Sequence, residues 1–277
     1  MAVAQYATKA ILESAQQSNP ADIEFRNVGR IFKSRNGTVE VLRDFNLTVR
    51  KGEFLAIVGP SGSGKSTVLN LLAGLDIPST GAVSCHSKAV TGVNSEIGYL
   101  TQHDSLLPWL TVEQNIAVPL EIRNVAKPER SRRVREMIAN VGLSGFEQYH
   151  PSRLSGGMRK RAMLARTLIY DPPTLLMDEP FGPLDAQLKL VLQAELLRLW
   201  NATGKTVVFV THDIVEAITL ADRVIVLSQR PSRIKLDEKI SIPRPREVHD
   251  VRFAPGFEDH YRRLWGAIEF DSAGQRQ

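Results

Sequence analysis

The sequence predicts an α/β fold built on a parallel sheet. Three observations carry this. Four short runs, FLAIVG (54–59), TLLMD (174–178), TVVFV (206–210) and RVIVL (223–227), are apolar at nearly every position, the pattern of strands buried on both faces. Stretches with apolar residues at helical spacing stand between them. Turns rich in Gly, Ser and Pro separate the two kinds of segment. Strands alternating with helices argue a parallel sheet with helices on both faces.

In chain order, IEFRNVGRIF (23–32) opens a first strand over 22–32, and Asn36-Gly37 is a hairpin turn signal. Residues 39–49 read as one or two further short strands, and Lys51-Gly52 as a second turn. The first buried strand, 54–59, runs through PSGSGKS into a helix carrying Val68, Leu69, Leu71 and Leu72. Turns and strands return after Gly74 and end in EIGYLTQ (96–102). Residues 103–170 are mainly helical, with Val134, Met137, Ile138 and Val141 on one helical face and Pro172-Pro173 as a stop. A helix over 186–201 and another after Thr211-His212-Asp213 complete the alternation. The stretch after Gln229, rich in Pro and Arg, reads as a peripheral extension.

Bulk properties narrow the classes. The 277 residues suit one large α/β domain with inserted subdomains, and 43% hydrophobic with 23% charged residues is ordinary for a folded soluble chain. No apolar run reaches the roughly 18–20 residues of a membrane span. The first 20 residues lack the apolar stretch of a secretory signal and are expected to form a flexible tail. Cys85, the single cysteine, excludes an internal disulfide and reads as packing. The net charge of +5 includes arginine clusters in RPSRIK (230–235), PRPRE (243–247) and YRR (261–263). They read as solvated surface, with anionic lipid as the alternative.

Gly59-Pro60-Ser61-Gly62-Ser63-Gly64-Lys65-Ser66 fits G-x-x-x-x-G-K-[ST], between a buried strand and a helix. Its glycines let several amides point at one spot, and the helix start adds positive charge there. Lys65 can reach the β- and γ-phosphates of a nucleotide, and the Ser66 hydroxyl can bind the magnesium bridging them. Asp178 and Glu179 end a buried strand, where α/β sheets place ligands. Asp178 can hold the metal through water, and Glu179 can orient or deprotonate an attacking water. Ser155-Gly156-Gly157 opens a helix as a second potential anion site.

With these motifs in this order, the chain resembles the ATP-binding cassette (ABC) family over roughly residues 22–230. GPSGSGKS resembles its Walker A motif, extended here to Thr67. TLLMDEP resembles Walker B and LSGGM the signature. Gln102 sits where the family's Q-loop glutamine lies, His212 at the switch histidine, Asp185 at the D-loop aspartate, and Phe32 where an aromatic stacks on adenine. Pro183 in GPLD departs from the small residue expected there.

The resemblance implies a P-loop NTPase (RecA-like) core over 21–230, with an N-terminal antiparallel β subdomain and a helical insert at about 103–158. Residues 231–277 are a C-terminal extension. ATP and Mg2+ are the implied cofactors, with Ser66, Gln102 and Asp178 at the metal and Glu179, His212 and Gln102 at the reacting phosphate. The resemblance further implies a head-to-tail homodimer, in which Ser155, Gly156 and Gly157 of one copy cover ATP on the Lys65 loop of the other. The implied partners are transmembrane permease subunits and, indirectly, an extracytoplasmic substrate-binding protein. No nucleic acid is expected, and the implied location is peripheral, at the cytoplasmic face of the inner membrane. Trp109, after Pro108, either lines the groove that receives a permease helix or packs inside the insert.

LLPWLTVEQN, LADRVIVLSQRPSRI and VRFAPGFEDHYRRLWGAI resemble importers of nitrate, sulfonates and taurine. The rivals are an exporter ATPase of the lipoprotein-releasing kind, a soluble cassette acting on ribosomes or DNA, and a small-molecule kinase. The kinase reading explains the phosphate loop but neither LSGGM nor His212.

Overall fold

The computed structural model describes residues 21–34, 37–182 and 184–269. The expected tail over 1–20, Asn36 of the hairpin turn, Pro183 and residues 270–277 lie outside them.

The chain opens with a hairpin of two long strands, β1 (Ala21–Ser34) and β2 (Gly37–Arg50), paired antiparallel from Ser34↔Gly37 back to Ala21↔Arg50. The one or two short strands expected over 39–49 are therefore a single strand. Register shifts near Val28 and Arg30 keep its apolar side facing inward despite the broken alternation. There follow β3 (Phe54–Val58), α1 (Lys65–Ala73), β4 (Thr80–Cys85), β5 (Lys88–Ala89) and β6 (Ile97–Leu100). Next come α2 (Val112–Ile122), α3 (Lys127–Asn140), α4 (Gly156–Leu168), β7 (Thr174–Asp178) and α5 (Ala186–Thr203). The last elements are β8 (Thr206–Val210), α6 (Ile214–Leu220), β9 (Arg223–Leu227), β10 (Ile234–Lys239) and α7 (Phe257–Glu269).

Among the described residues these strands make two sheets. One is antiparallel, in the order β2-β1-β4-β5. The other has the order β10-β9-β3-β8-β7-β6, parallel except for β10. The period of two along β3 divides the core. Phe54, Ala56 and Val58 join Met163, Leu196 and Ile218 of the helices on one face. Leu55 and Ile57 join Leu69 and Leu72 of α1, together with Phe25, Phe45 and Leu47 of the antiparallel sheet. Helices on both faces were expected. On the second face α1 shares the cover with a β layer, because a sheet apolar on one side must bury that side against something. Cys85 lies buried in this second core, where burial pushes its thiol up to about 12, in keeping with a packing role.

The helical insert is pinned at its entry. The Thr111 hydroxyl accepts from the Gln114 amide and the Gln114 side chain accepts from the Thr111 amide, a reciprocal cap for α2. Buried Asn115 donates to the Leu107, Leu110 and Thr111 carbonyls and accepts from the Leu107 amide, which fixes the loop bearing Trp109. Val134, Ile138 and Val141 are buried as their spacing predicts, and Met137 packs at their edge.

The segment read as peripheral supplies β10 to the main sheet, and its arginines are not all solvated. Arg246 is buried and donates to the main-chain carbonyls of Ile218, Ala221 and Ile242. Arg244 stacks on Trp200 and donates to Asp222 and the Leu220 carbonyl. Together they satisfy carbonyls at the negative end of α6, a need that the composition of PRPRE does not reveal.

Candidate functional site

The phosphate loop spans the gap between the end of β3 and the start of α1. Gly64, at φ 87°, is the residue before the helix, so the first-turn amides of α1 face into the loop. Gly62, at φ 77°, sits in the same left-handed region, which glycine occupies without strain. Lys65 is buried, and its ammonium donates to the Gly59 and Pro60 carbonyls at 2.9 Å each. Burial lowers its pKa, while Glu179 and Asp178 push it back up. The Ser63 hydroxyl is buried without a hydrogen-bond partner.

A cavity of about 580 Å³ opens beside this loop. Phe32, Ser61, Gly62, Gly64, Lys65, Ser66 and Thr67 line it, with Gln102 and Glu179. The structure thus brings an aromatic from β1, the loop, and two groups from distant strand ends to one space. Phe32 is partly exposed, with Arg30 over its ring. Val39, Val41 and Arg230 also line the cavity. Sequence reasoning did not single out the two valines and placed Arg230 on a solvated surface. No motif marks any of them, because the pairing of β2 and the course of the chain after β9 bring them there.

Asp178 ends β7 in a buried position. Burial raises its pKa, a Ser66 hydrogen bond lowers it, Glu179 raises it, and Lys65 and His103 lower it. Glu179 follows at φ 44°, a left-handed conformation uncommon for a residue with a side chain. Its Oε2 accepts from Gln102 Nε2 at 3.2 Å and lies 3.2 Å from His212 Nδ1. Three residues predicted to serve the reacting phosphate therefore meet on one carboxylate oxygen. His212 itself is exposed, just before α6.

Ser155, Gly156, Gly157 and Asp185 lie outside this cavity. Ser155 caps α4 by accepting from the Met158 amide at 3.2 Å, and Ser155 and Gly156 are exposed. Gly157 is buried against Leu188, whose side chain would meet any Cβ placed there. Asp185 caps α5 by accepting from the Leu188 amide. The start of α4 and the start of α5 thus adjoin through Leu188.

Ser66 and Asp178 offer two hard oxygens, and among the described residues no cluster of three or more His, Cys, Asp or Glu could cage a metal. That donor set fits magnesium, which keeps waters and takes its remaining ligands from phosphates. The loop amides, Lys65 and an aromatic at the rim fit a nucleoside polyphosphate.

A family model described as ABC transporter matches residues 42–182. An uncharacterised ABC transporter ATP-binding protein of Methanocaldococcus jannaschii is 45% identical, covering 83% of this chain and 86% of the relative. The aliphatic sulfonates import ATP-binding protein of Bacillus cereus is 39% identical, over 83% and 91%. The nitrate import ATP-binding protein of Synechocystis is 40% identical, over 82% and 85%. A solved dimeric ATP-binding cassette in a post-hydrolysis state, bound to ADP and phosphate, has a TM-score of 0.72 and 32% identity, covering 79% of this chain and 98% of that one.

Proposed function

The chain belongs to the ABC transporter family as an ATP-binding, ATP-hydrolysing subunit, and on that premise we propose that two copies pair head to tail around two MgATP molecules and drive an importer of small oxyanions. The observation that carries the pairing is a division of the site. One cavity gathers Phe32, the Lys65 loop, Gln102 and Glu179, while Ser155 and Gly156 stand exposed outside it. Each half supplies what the other lacks. The dimeric state of a solved relative supports the same reading.

Within each site Lys65 and the loop amides hold the β- and γ-phosphates. Phe32 stacks on the base. Ser66 and Asp178, with Gln102, hold magnesium, which neutralises phosphate charge when bound. Glu179 orients the attacking water and takes its proton, with His212 and Gln102 positioning the carboxylate. Loss of the γ-phosphate removes the bridge between copies, and the halves part.

Permease subunits receive that movement at the cytoplasmic face of the inner membrane. Among the described residues no helix is long and apolar enough to cross a membrane. Trp109 is 70% exposed, which favours a partner-facing role over packing inside the insert. The cargo reading rests on the named import relatives, with an extracytoplasmic binding protein as the delivering partner. Deleting the gene and growing cells on nitrate, taurine or alkanesulfonates as sole nitrogen or sulfur source tests it. Failure on one of them identifies the cargo class, and unimpaired growth on all rejects the oxyanion reading.

A further inference from the structure

The segment after β9 turns back along the phosphate loop. The Ser232 hydroxyl donates to the main-chain carbonyls of Ser63 and Ser228. The Ser232 amide donates to the Val41 carbonyl at 2.8 Å, and its carbonyl accepts from the Arg43 amide at 3.2 Å. Ser232 is wholly buried, so this anchor fixes the backbone only two residues from Arg230. Arg230 in turn lies against Gly62: a Cβ on that glycine would sit 3.0 Å from Arg230 Nη2 and 3.6 Å from Cζ. Arg230 also lines the cavity that holds Lys65 and Glu179.

The charges on this wall need a second cation. Lys65 faces two carboxylates, Asp178 and Glu179, and its ammonium is shared with two loop carbonyls. A nucleoside triphosphate remains anionic even with its metal, so it enters against those acids. Neighbouring arginines are committed elsewhere, Arg233 to Asp44 and Arg43 to Glu40. Among the described residues no ion pair engages Arg230, and a planar guanidinium suits phosphate oxygens.

We propose that Arg230 is a further nucleotide-binding residue, whose guanidinium donates to the polyphosphate of a nucleotide held in the Gly62 loop. The proposal deepens the reading of this cavity as the MgATP site and rests on it. The Ser232 anchor sets the position, and Arg230 supplies the charge.

The test is equilibrium titration of the purified full-length protein with MgATP and MgADP. Arg230→Gln keeps length and polarity and removes the charge, and it should weaken both ligands by about tenfold. Arg230→Lys should recover most of that loss, and the affinity of Arg230→Gln should fall less steeply with added salt than that of wild type. Arg233→Gln, which breaks only the pair with Asp44, should bind as wild type does. Affinities of Arg230→Gln within about twofold of wild type would overturn the proposal. So would equal weakening in Arg230→Lys and Arg230→Gln, which would assign the effect to packing on the loop. A separate arm tests the reading beneath it. If Lys65→Ala binds MgATP as tightly as wild type, the cavity is not the nucleotide site and the proposal falls with it.

Discussion

In the proposed mechanism Glu179 is the residue on which hydrolysis turns, and Gln102 and His212 both reach its Oε2. Glu179→Gln keeps the shape and loses the base. It should bind MgATP while phosphate release falls by about 100-fold or more, and turnover within a few-fold of wild type would remove Glu179 from the chemistry. Arg246 is the opposite case, a charged side chain with a structural task. Burial pushes its pKa down to about 10, which still leaves it charged at neutral pH. Arg246→Met should strand the carbonyls of Ile218, Ala221 and Ile242 and cost about 3 kcal/mol, read as a lower urea midpoint with unchanged slope. The two residues also mark what the sequence discloses. The place of Glu179, directly after a buried strand, is legible because it depends on local order along the chain. Arg246 is not, because its partners, Ile242 nearby and Ile218 and Ala221 more than 20 positions away, are main-chain atoms without a sequence signature.

Two sets of element contacts extend the site. Buried Lys160 on α4 donates to the Gln102 carbonyl at 2.8 Å, Arg159 pairs with Asp104 at 2.9 Å, and Arg166 donates to the Ser105 carbonyl at 2.8 Å. The helix capped by Ser155 therefore grips the segment that begins with Gln102. Lys160→Met should lower maximal ATP turnover by about tenfold through misplacement of Gln102, with a smaller change in KM. An unchanged rate would show that the grip is dispensable. Behind His212, Lys189 of α5 pairs with Asp213, the cap of α6, at 2.7 Å. Burial alone would raise the Asp213 pKa, but Lys189 and the α6 amides hold it below the usual range. A depressed carboxylate stabilises the fold above its unfolded pKa, near 4, and loses that contribution as pH falls through the lower folded value. Buried Glu216 beside it, with its pKa raised by burial, acts in the other direction. Lys189→Met should therefore lower the melting temperature at pH 7, and the gap to wild type should narrow on acidification below about pH 4. A constant gap across that range would contradict the linkage. The helices over 186–201 and after Thr211-His212-Asp213 were forecast from the alternation along the chain, whereas the contacts between them depend on three-dimensional crossings that periodicity does not encode.

At the scale of the whole molecule, the division of the site is the feature under test. Glu179→Gln with ATP should accumulate as a dimer in light scattering. Adding Ser155→Arg places a bulky cation where the proposed pairing docks the opposite copy's phosphate, so each chain should still bind ATP while the dimer fails to form. Equal dimerisation in the single and double variants would reduce Ser155 to a helix cap. The strands of the sheet, the opening hairpin and the helices of 103–170 were legible because apolar period and turn chemistry are written locally, while their grouping into a β subdomain and a helical insert came with the family resemblance. The return of the chain as β10 was not legible. Its sequence, IKLDEK, alternates polar and half-buried positions as an edge strand does, so it carries no long apolar run to announce it.

The backbone of Glu179 has a consequence for anyone breeding this protein for heat resistance. A side chain held at φ 44° costs about 1 kcal/mol or more, and glycine or asparagine relieves it. A laboratory selection that scores survival at high temperature, and not turnover, would therefore reward replacement at position 179. On the proposed role of Glu179, the winners would be sturdy chains that hold ATP and scarcely hydrolyse it, so the screen must score phosphate as well as survival.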